Sequence, residues 1–180
     1  MLRGQGARLL AGGVGLAAAL LVTVMAVAMA NGIGGEPLGA ASTGFERAAE
    51  FELPTLDGSS FALGDHADGP VFLYFWASWC GPCETEAPLI QALWPEYEAR
   101  GYTFVGVNTW DSERDARAFV ERHGLTFPVV VSDGKAPLDY GVYALPEAFF
   151  LRPGLEIDRK FLGALTEVDF REMLEAIGTS

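Results

Sequence analysis

The run Val-Phe-Leu-Tyr-Phe-Trp-Ala at Val71–Ala77, followed two residues later by Cys80-Gly81-Pro82-Cys83, constrains the fold more than any other feature. Seven consecutive apolar or aromatic residues without alternation describe a strand buried on both faces, so its sheet needs a covering layer on each side. Pro82 fits the first turn of a following helix, where no N–H partner is lost. A strand that feeds a helix within a doubly covered sheet is an α/β arrangement.

The flanking pattern extends this reading. Phe51–Leu56 and Ser60–Leu63 around Asp57-Gly58 read as a β-hairpin. A helix is expected from Gly81 to Ala99, kinked at Pro88 and ended or restarted at Pro95. Thr103–Thr109 is the next strand, Ser112–His123 a charged amphipathic helix stopped by Gly124, and Val129–Val131 another strand. Two last strands, Ala148–Arg152 and Glu156–Leu162, surround Pro153-Gly154. A closing helix spans Thr166–Ile177, with Thr166 and Asp169 as a capping pair. The result is a mixed central sheet flanked by helices, with parallel and antiparallel neighbours and an N-terminal hairpin.

No charged residue occurs between Arg8 and Glu36. The 22 uncharged residues Leu9–Ala30, all Leu, Val, Ala, Gly or Met but for Thr23, reach roughly 33 Å as a helix, enough to span a bilayer. Arg3 and Arg8 precede this segment and no Lys or Arg follows until Arg47, so residues 1–8 are expected in the cytoplasm and the remainder outside. A cleaved signal peptide is the rival, since Ala28-Met29-Ala30 fits a cleavage site, but cleavable cores usually run about 7–15 residues. The length favours an uncleaved anchor over 9–30. A lipid anchor lacks its cysteine. Residues 31–44, rich in Gly, Ala, Ser and Thr, read as a flexible linker, and 45–180 as one domain with a full core. The net charge of −12 divides into +2 from Arg3 and Arg8 and −14 from the rest, a surface that repels nucleic acid and anionic lipid.

Only Cys80 and Cys83 are present, which excludes a disulfide-stapled scaffold and a four-cysteine zinc site. At a helix N-terminus, unpaired N–H groups and the positive end of the dipole stabilise a thiolate, so the pKa of Cys80 is expected below that of a free thiol. Cys80 is the attacking thiol. Cys83 lies one turn on and resolves the mixed disulfide, while Gly81 and Pro82 shape the surface that substrate meets. A purely stabilising disulfide over so short a loop contributes only about 2 kcal/mol, a poor reason for its presence. Half of a metal site is the other alternative, with His66 and His123 as the remaining candidates; each reads instead as a surface or capping histidine. No cofactor beyond a redox-active Cys80–Cys83 disulfide is expected.

Trp79-Cys80-Gly81-Pro82-Cys83 after Phe75-Trp76-Ala77 resembles thioredoxin. The fuller set resembles the membrane-anchored thiol-disulfide oxidoreductases of the TlpA, ResA and CcmG group. It comprises F-x-L-P-x-L-D-G in the hairpin, C-x-x-C-x-x-E-x-P at Cys80, Cys83, Glu86 and Pro88, and G-V-Y-x-x-P-E-x-F at Gly141–Phe149. The likeness covers about residues 50–177 and implies a thioredoxin-like fold. Where cytoplasmic thioredoxins carry a buried Asp, six residues before the first cysteine, this chain has Tyr74. The resemblance offers Glu86 as replacement, on the helix face of Cys83, to take its proton as it attacks; a solvated glutamate favouring the helix dipole is the alternative. Glu84 reads as surface charge. The resemblance also assigns a cis bond to Leu145-Pro146, facing the cysteines, with the Leu145 backbone open to an extended substrate. Trp79 is expected as an exposed substrate contact. Asn108–Asp111 ends a strand nearby, without a specific role.

The resemblance implies an extracytoplasmic dithiol reductase, drawing electrons from a membrane donor and reducing protein disulfides such as those of apocytochrome c or copper-site proteins. A monomer is expected. Two other classes stand beside it. A peroxiredoxin-like thiol peroxidase is suggested by Phe-Glu-Leu-Pro-Thr-Leu-Asp-Gly, but that class needs Thr or Ser three residues before its cysteine, where Ala77 and Cys80 stand here. A tethered copper-binding module would use the two thiols alone.

Overall fold

A computed structural model describes Thr23, Ala40–Ala41 and residues 47–178. The expected anchor over 9–30 and linker over 31–44 therefore lie, apart from Thr23 and Ala40–Ala41, outside the described residues. Among those described, no helix is long and apolar enough to cross a membrane. The chain divides into two units, Met1–Pro37 and Leu38–Ser180, and every element below belongs to the second.

The strands are β1 (Ala40–Ala41), β2 (Glu52–Pro54), β3 (Ser60–Ala62), β4 (Val71–Trp76), β5 (Thr103–Asn108), β6 (Val129–Val131), β7 (Glu147–Arg152) and β8 (Glu156–Leu162). The helices are α1 (Gly81–Glu98), α2 (Glu113–His123), α3 (Ala136–Asp139) and α4 (Glu167–Gly178), with a 3-10 turn at Leu63–His66. One sheet carries the order β1-β8-β7-β4-β5-β6, parallel across β4, β5 and β6 and antiparallel elsewhere. The β2–β3 hairpin is a separate pair whose tip bonds to β6, with Leu56 N–H donating to the Val129 carbonyl at 2.9 Å. This is the mixed sheet with an N-terminal hairpin that the pattern predicts, in the thioredoxin-like arrangement that the resemblance implies.

β4 is buried along its whole length, and its period of two divides the core. Phe72, Tyr74 and Trp76 face α1, α2 and α4, packing with Ile90, Tyr97, Phe119 and Phe170; Val71, Leu73 and Phe75 face the hairpin, α3 and Tyr140. Helices therefore flank both faces unequally, with one turn of α3 on the second. Close approach between strands fixes Gly106 on β5, where an added Cβ would lie 2.8 Å from Trp76 Nε1.

Local signals hold at the helix ends. Ser112 caps α2 by accepting from the Asp115 N–H at 3.2 Å, and Gly124 ends it in the left-handed region at φ 60°. Thr166 and Asp169 form the expected reciprocal pair at the start of α4. Pro95 departs from expectation: α1 neither ends nor restarts there but continues through Pro88 and Pro95 to Glu98. Ile90, Leu93, Trp94 and Tyr97 are buried in the core, and this packing outweighs the hydrogen bonds that two prolines remove.

Candidate active site

Strand register gathers the site. Trp76 on β4 pairs with Asn108 on β5, and Asn108 with Val131 on β6, so the segments after all three strands leave the sheet at one end. β7 runs the other way and enters at that end, with Glu147 opposite Phe75; β8 finishes there, with Leu162 opposite Glu147. Cys80, Trp110, Asp133, Pro146 and Leu165 are thus brought to the carboxyl end of the central strands, although 85 residues separate the first from the last.

Cys80 and Cys83 form a disulfide with Sγ–Sγ 2.02 Å and Cα–Cα 5.2 Å. Cys80 is the N-cap of α1, and its Sγ accepts from the Cys83 N–H at 3.2 Å, so the helix end directs a backbone donor at this sulfur. Cys80 keeps 4% exposure and Cys83 none. Gly81 and Pro82 lie on the surface above them, and Trp79 is 61% exposed. The disulfide itself is the redox-active centre. Among the described residues no group of three or more His, Cys, Asp or Glu is arranged to hold a metal.

Glu86 is buried at 3% exposure, so it is not the solvated glutamate of the alternative reading. Oε1 accepts from the Leu165 N–H at 3.0 Å. The Tyr74 hydroxyl lies close enough to interact with the carboxylate, yet neither this hydroxyl nor Glu86 Oε2 completes a hydrogen bond of normal geometry. Burial pushes the carboxyl up to about 7, against the opposing pull of the Leu165 N–H and Tyr74. Burial and the adjacent carboxylate push the Tyr74 phenol well above its ordinary value. The position that carries Asp in thioredoxin thus supplies a hydroxyl here, and the carboxylate arrives from α1.

Leu145-Pro146 is cis, as the resemblance implies. Pro146 is buried and Leu145 half-buried, packed against both parts of the core. The ladder with β4 begins one residue later, at Glu147.

Two constellations escaped the sequence. Asp111, in the segment left without a role, accepts from Ser78 N–H at 2.6 Å, Ser78 Oγ at 2.9 Å, Asn108 Nδ2 at 2.9 Å and Ser112 N–H at 2.8 Å. It fastens the residues before Cys80 to the end of β5, and Trp79 Nε1 donates to the Trp110 carbonyl beside it at 2.9 Å. Directly after Pro146, the fully buried Glu147 carboxylate meets Lys160 Nζ at 2.6 Å. Lys160 also donates to the Gly141 carbonyl at 3.1 Å and lies over the Tyr143 ring, tying the segment before Pro146 to β8. Burial raises the Glu147 carboxyl, and Lys160 opposes that shift. The sequence signals were a charged residue inside an otherwise apolar run and its place in the P-E-x-F part of the motif, neither of which names Lys160 as its partner.

The remaining charged candidates are peripheral. Glu84 accepts two bonds from Arg122, at 3.1 and 2.9 Å, which hold it below the usual carboxylate range and join α1 to α2. His123 is less exposed than its expected surface role: its ring lies 4.4 Å from Phe119, and Nε2 is 3.1 Å from Glu84 Oε1 without good hydrogen-bond geometry. His66 stacks on Phe61 at 4.6 Å, with Nδ1 3.1 Å from Thr103 Oγ1.

Residues 45–160 match the family described as AhpC/TSA. The thiol-disulfide oxidoreductase ResA of Geobacillus thermodenitrificans is 36% identical over 131 residues, 72% of this chain and 75% of that protein. Among solved structures, a secreted Mycobacterium tuberculosis disulfide oxidoreductase homologous to E. coli DsbE superposes with TM-score 0.64 at 26% identity, covering 70% of this chain and 95% of that one. A DsbF homologue from Corynebacterium diphtheriae gives 0.66 at 26% identity, over 79% and 94%.

Proposed function

Because the chain belongs to the thioredoxin-fold thiol-disulfide oxidoreductases related to ResA, DsbE and DsbF, within the AhpC/TSA family, we propose that it works outside the cytoplasm as a protein-disulfide reductase. The observation that carries this reading is a disulfide at a helix N-terminus with the buried carboxyl of Glu86 three residues beyond Cys83 on the same helix. In the dithiol form, Cys80 thiolate attacks a substrate disulfide. A Cys80–substrate bond forms and one substrate thiolate leaves. Cys83 then gives its proton to ionised Glu86 and attacks Cys80 Sγ, closing the internal disulfide and releasing the second substrate thiolate. Two electrons pass to the substrate, and a membrane dithiol donor restores the pair. Trp79, Gly81, Pro82 and Leu145 contact the substrate segment, with Pro146 at its edge.

The domain assignment follows the charge pattern: residues 1–8 in the cytoplasm, 9–30 an uncleaved anchor, 31–44 a linker and 45–180 the catalytic domain, working as a monomer. Substrates are oxidised cysteine pairs in exported proteins, with apocytochrome c and copper-site proteins as the classes that the family likeness suggests. Cys83→Ser is expected to accumulate a mixed disulfide through Cys80, whereas Cys80→Ser loses activity by at least about 1000-fold and traps nothing. Mass spectrometry of non-reducing gel bands checks this. Equal, trap-free loss in both variants overturns the division of labour.

A further inference from the structure

Reduction of a disulfide needs the two sulfurs, a proton acceptor and a place for the substrate backbone. It does not need Trp110. Yet this residue is 50% exposed and sits at φ 55°, a region that a bulky aromatic side chain rarely adopts. Its carbonyl receives Trp79 Nε1, and the next residue, Asp111, is held by four donors. The Trp79 indole is therefore fixed to the backbone of Trp110 next to Cys80, and the exposed Trp110 side chain leaves from that same pinned loop.

Beyond them lies a shallow, open cleft of about 580 Å³ whose charged lining is acidic: Asp111, Asp115 and Asp133, with no Lys, Arg or His. Asp111 is consumed by the loop. Asp115 and Asp133 are each held below the usual carboxylate range, the first chiefly by the Ser112 hydroxyl and the second by the Ala136 N–H, so both stay charged. Lys135 pairs with Asp139, and the 89% exposed Arg114 already pairs with Asp115 at 3.1 Å, so an incoming cation must displace it there, whereas Asp133 makes no ion pair among the described residues. The cleft wall also contains Thr109, 1% exposed, whose Oγ1 has no hydrogen-bond partner. Indole faces, carboxylates and an unfilled hydroxyl together suit a cationic group that carries N–H donors.

We propose that Trp79, Trp110, Asp115 and Asp133 form a recognition element that holds an arginine or lysine of the partner polypeptide while its disulfide lies at Cys80. The occupant is an extended basic segment beside the partner's cysteines. The assignment rests on the reading of Cys80 as the sulfur that meets substrate and adds a preference for positive charge nearby.

The test needs no redox step. The full chain, kept in its disulfide form, is titrated with a short cysteine-free Gly/Ser peptide carrying arginines and with its citrulline twin, which keeps the shape and loses the charge. The arginine peptide is expected to bind about fivefold more tightly at low ionic strength, with the preference shrinking as salt is added. Trp110→Ala and Asp133→Asn should each remove it; the Asn variant keeps the oxygen that accepts from the Lys135 and Ala136 N–H groups. Equal affinities, no binding of either peptide, or a preference that survives both substitutions overturns the site. Reduction of a small neutral disulfide by the dithiol form is measured in parallel. Failure there counts against the reductase, independently of the titration.

Discussion

The middle of the central sheet and its carboxyl end are made of opposite materials. In the middle, Phe72 packs against Phe104, Phe150 and Phe170 with ring centroids 4.6–5.2 Å apart and no polar atom among the four side chains. At the end stand Glu86, Asn108, Thr109 and Glu147, the buried polar and charged residues among those described. An unsatisfied buried polar group costs roughly 1–3 kcal/mol, so a fold shaped only for stability would not collect them in one place. Stability and chemistry occupy different levels of one sheet.

The separation can be broken from either side. Phe72→Ala is expected to cost the most, about 3–5 kcal/mol of stability, while the folded fraction keeps its full disulfide reductase rate. Chemical denaturation with activity measured below the transition checks this; a rate that falls in the folded protein would mean that the two levels are coupled.

Glu86→Gln acts at the other level. The carboxyl is raised from an ordinary 4.5 to about 7 in the folded chain, so on raising the pH the unfolded chain releases its proton first. The folded state is then progressively disfavoured between about pH 4.5 and 7, with no further change above, for a total of about 3 kcal/mol. Glutamine does not titrate. The stability of the variant relative to the wild type should therefore rise by about 3 kcal/mol from pH 4 to pH 8, while resolution of the mixed disulfide slows. A pH-independent stability difference would leave Glu86 without its raised proton affinity.

Lys160→Met leaves Glu147 without its cation and is expected to cost about 2 kcal/mol at pH 8, less than a fully buried pair because the carboxyl can regain a proton. The loss should shrink at pH 5, where the raised Glu147 carboxyl is protonated more readily. Urea midpoints at the two pH values decide; equal losses would assign the effect to packing of the lysine stem.

Legibility followed the same division by range. Val71–Ala77, the Asp57-Gly58 hairpin, the Thr166–Asp169 cap and the cysteine pair are signals carried within a few residues, and the structure has them. Glu86 could be placed on the face of Cys83 by spacing alone, but its burial depends on Tyr74 and Leu165 from distant elements. Asp111 reaches Ser78 across 33 positions, and Glu147 meets Lys160 only through the register of β7 and β8; no local pattern encodes either pairing. Helix α3 is one turn long, too short for a period of 3.6 to appear. The uninterrupted α1 shows the reverse error, where a local rule about proline was overruled by burial of its apolar face.

The hairpin tip on β6 has a consequence for the molecule in a crowd. β6 is the terminal strand on its side of the sheet, three valines with backbone groups that a second chain could adopt as a template. Leu56 takes the Val129 carbonyl and Thr55 bridges Val130, so a neighbour must first displace the chain's own hairpin to add a strand. Edge-to-edge growth is fastest where many copies share a confined volume. The hairpin then serves as a built-in guard of colloidal stability, and trimming it should lead to fibrous or amorphous deposits before any chemistry at the cysteines is lost.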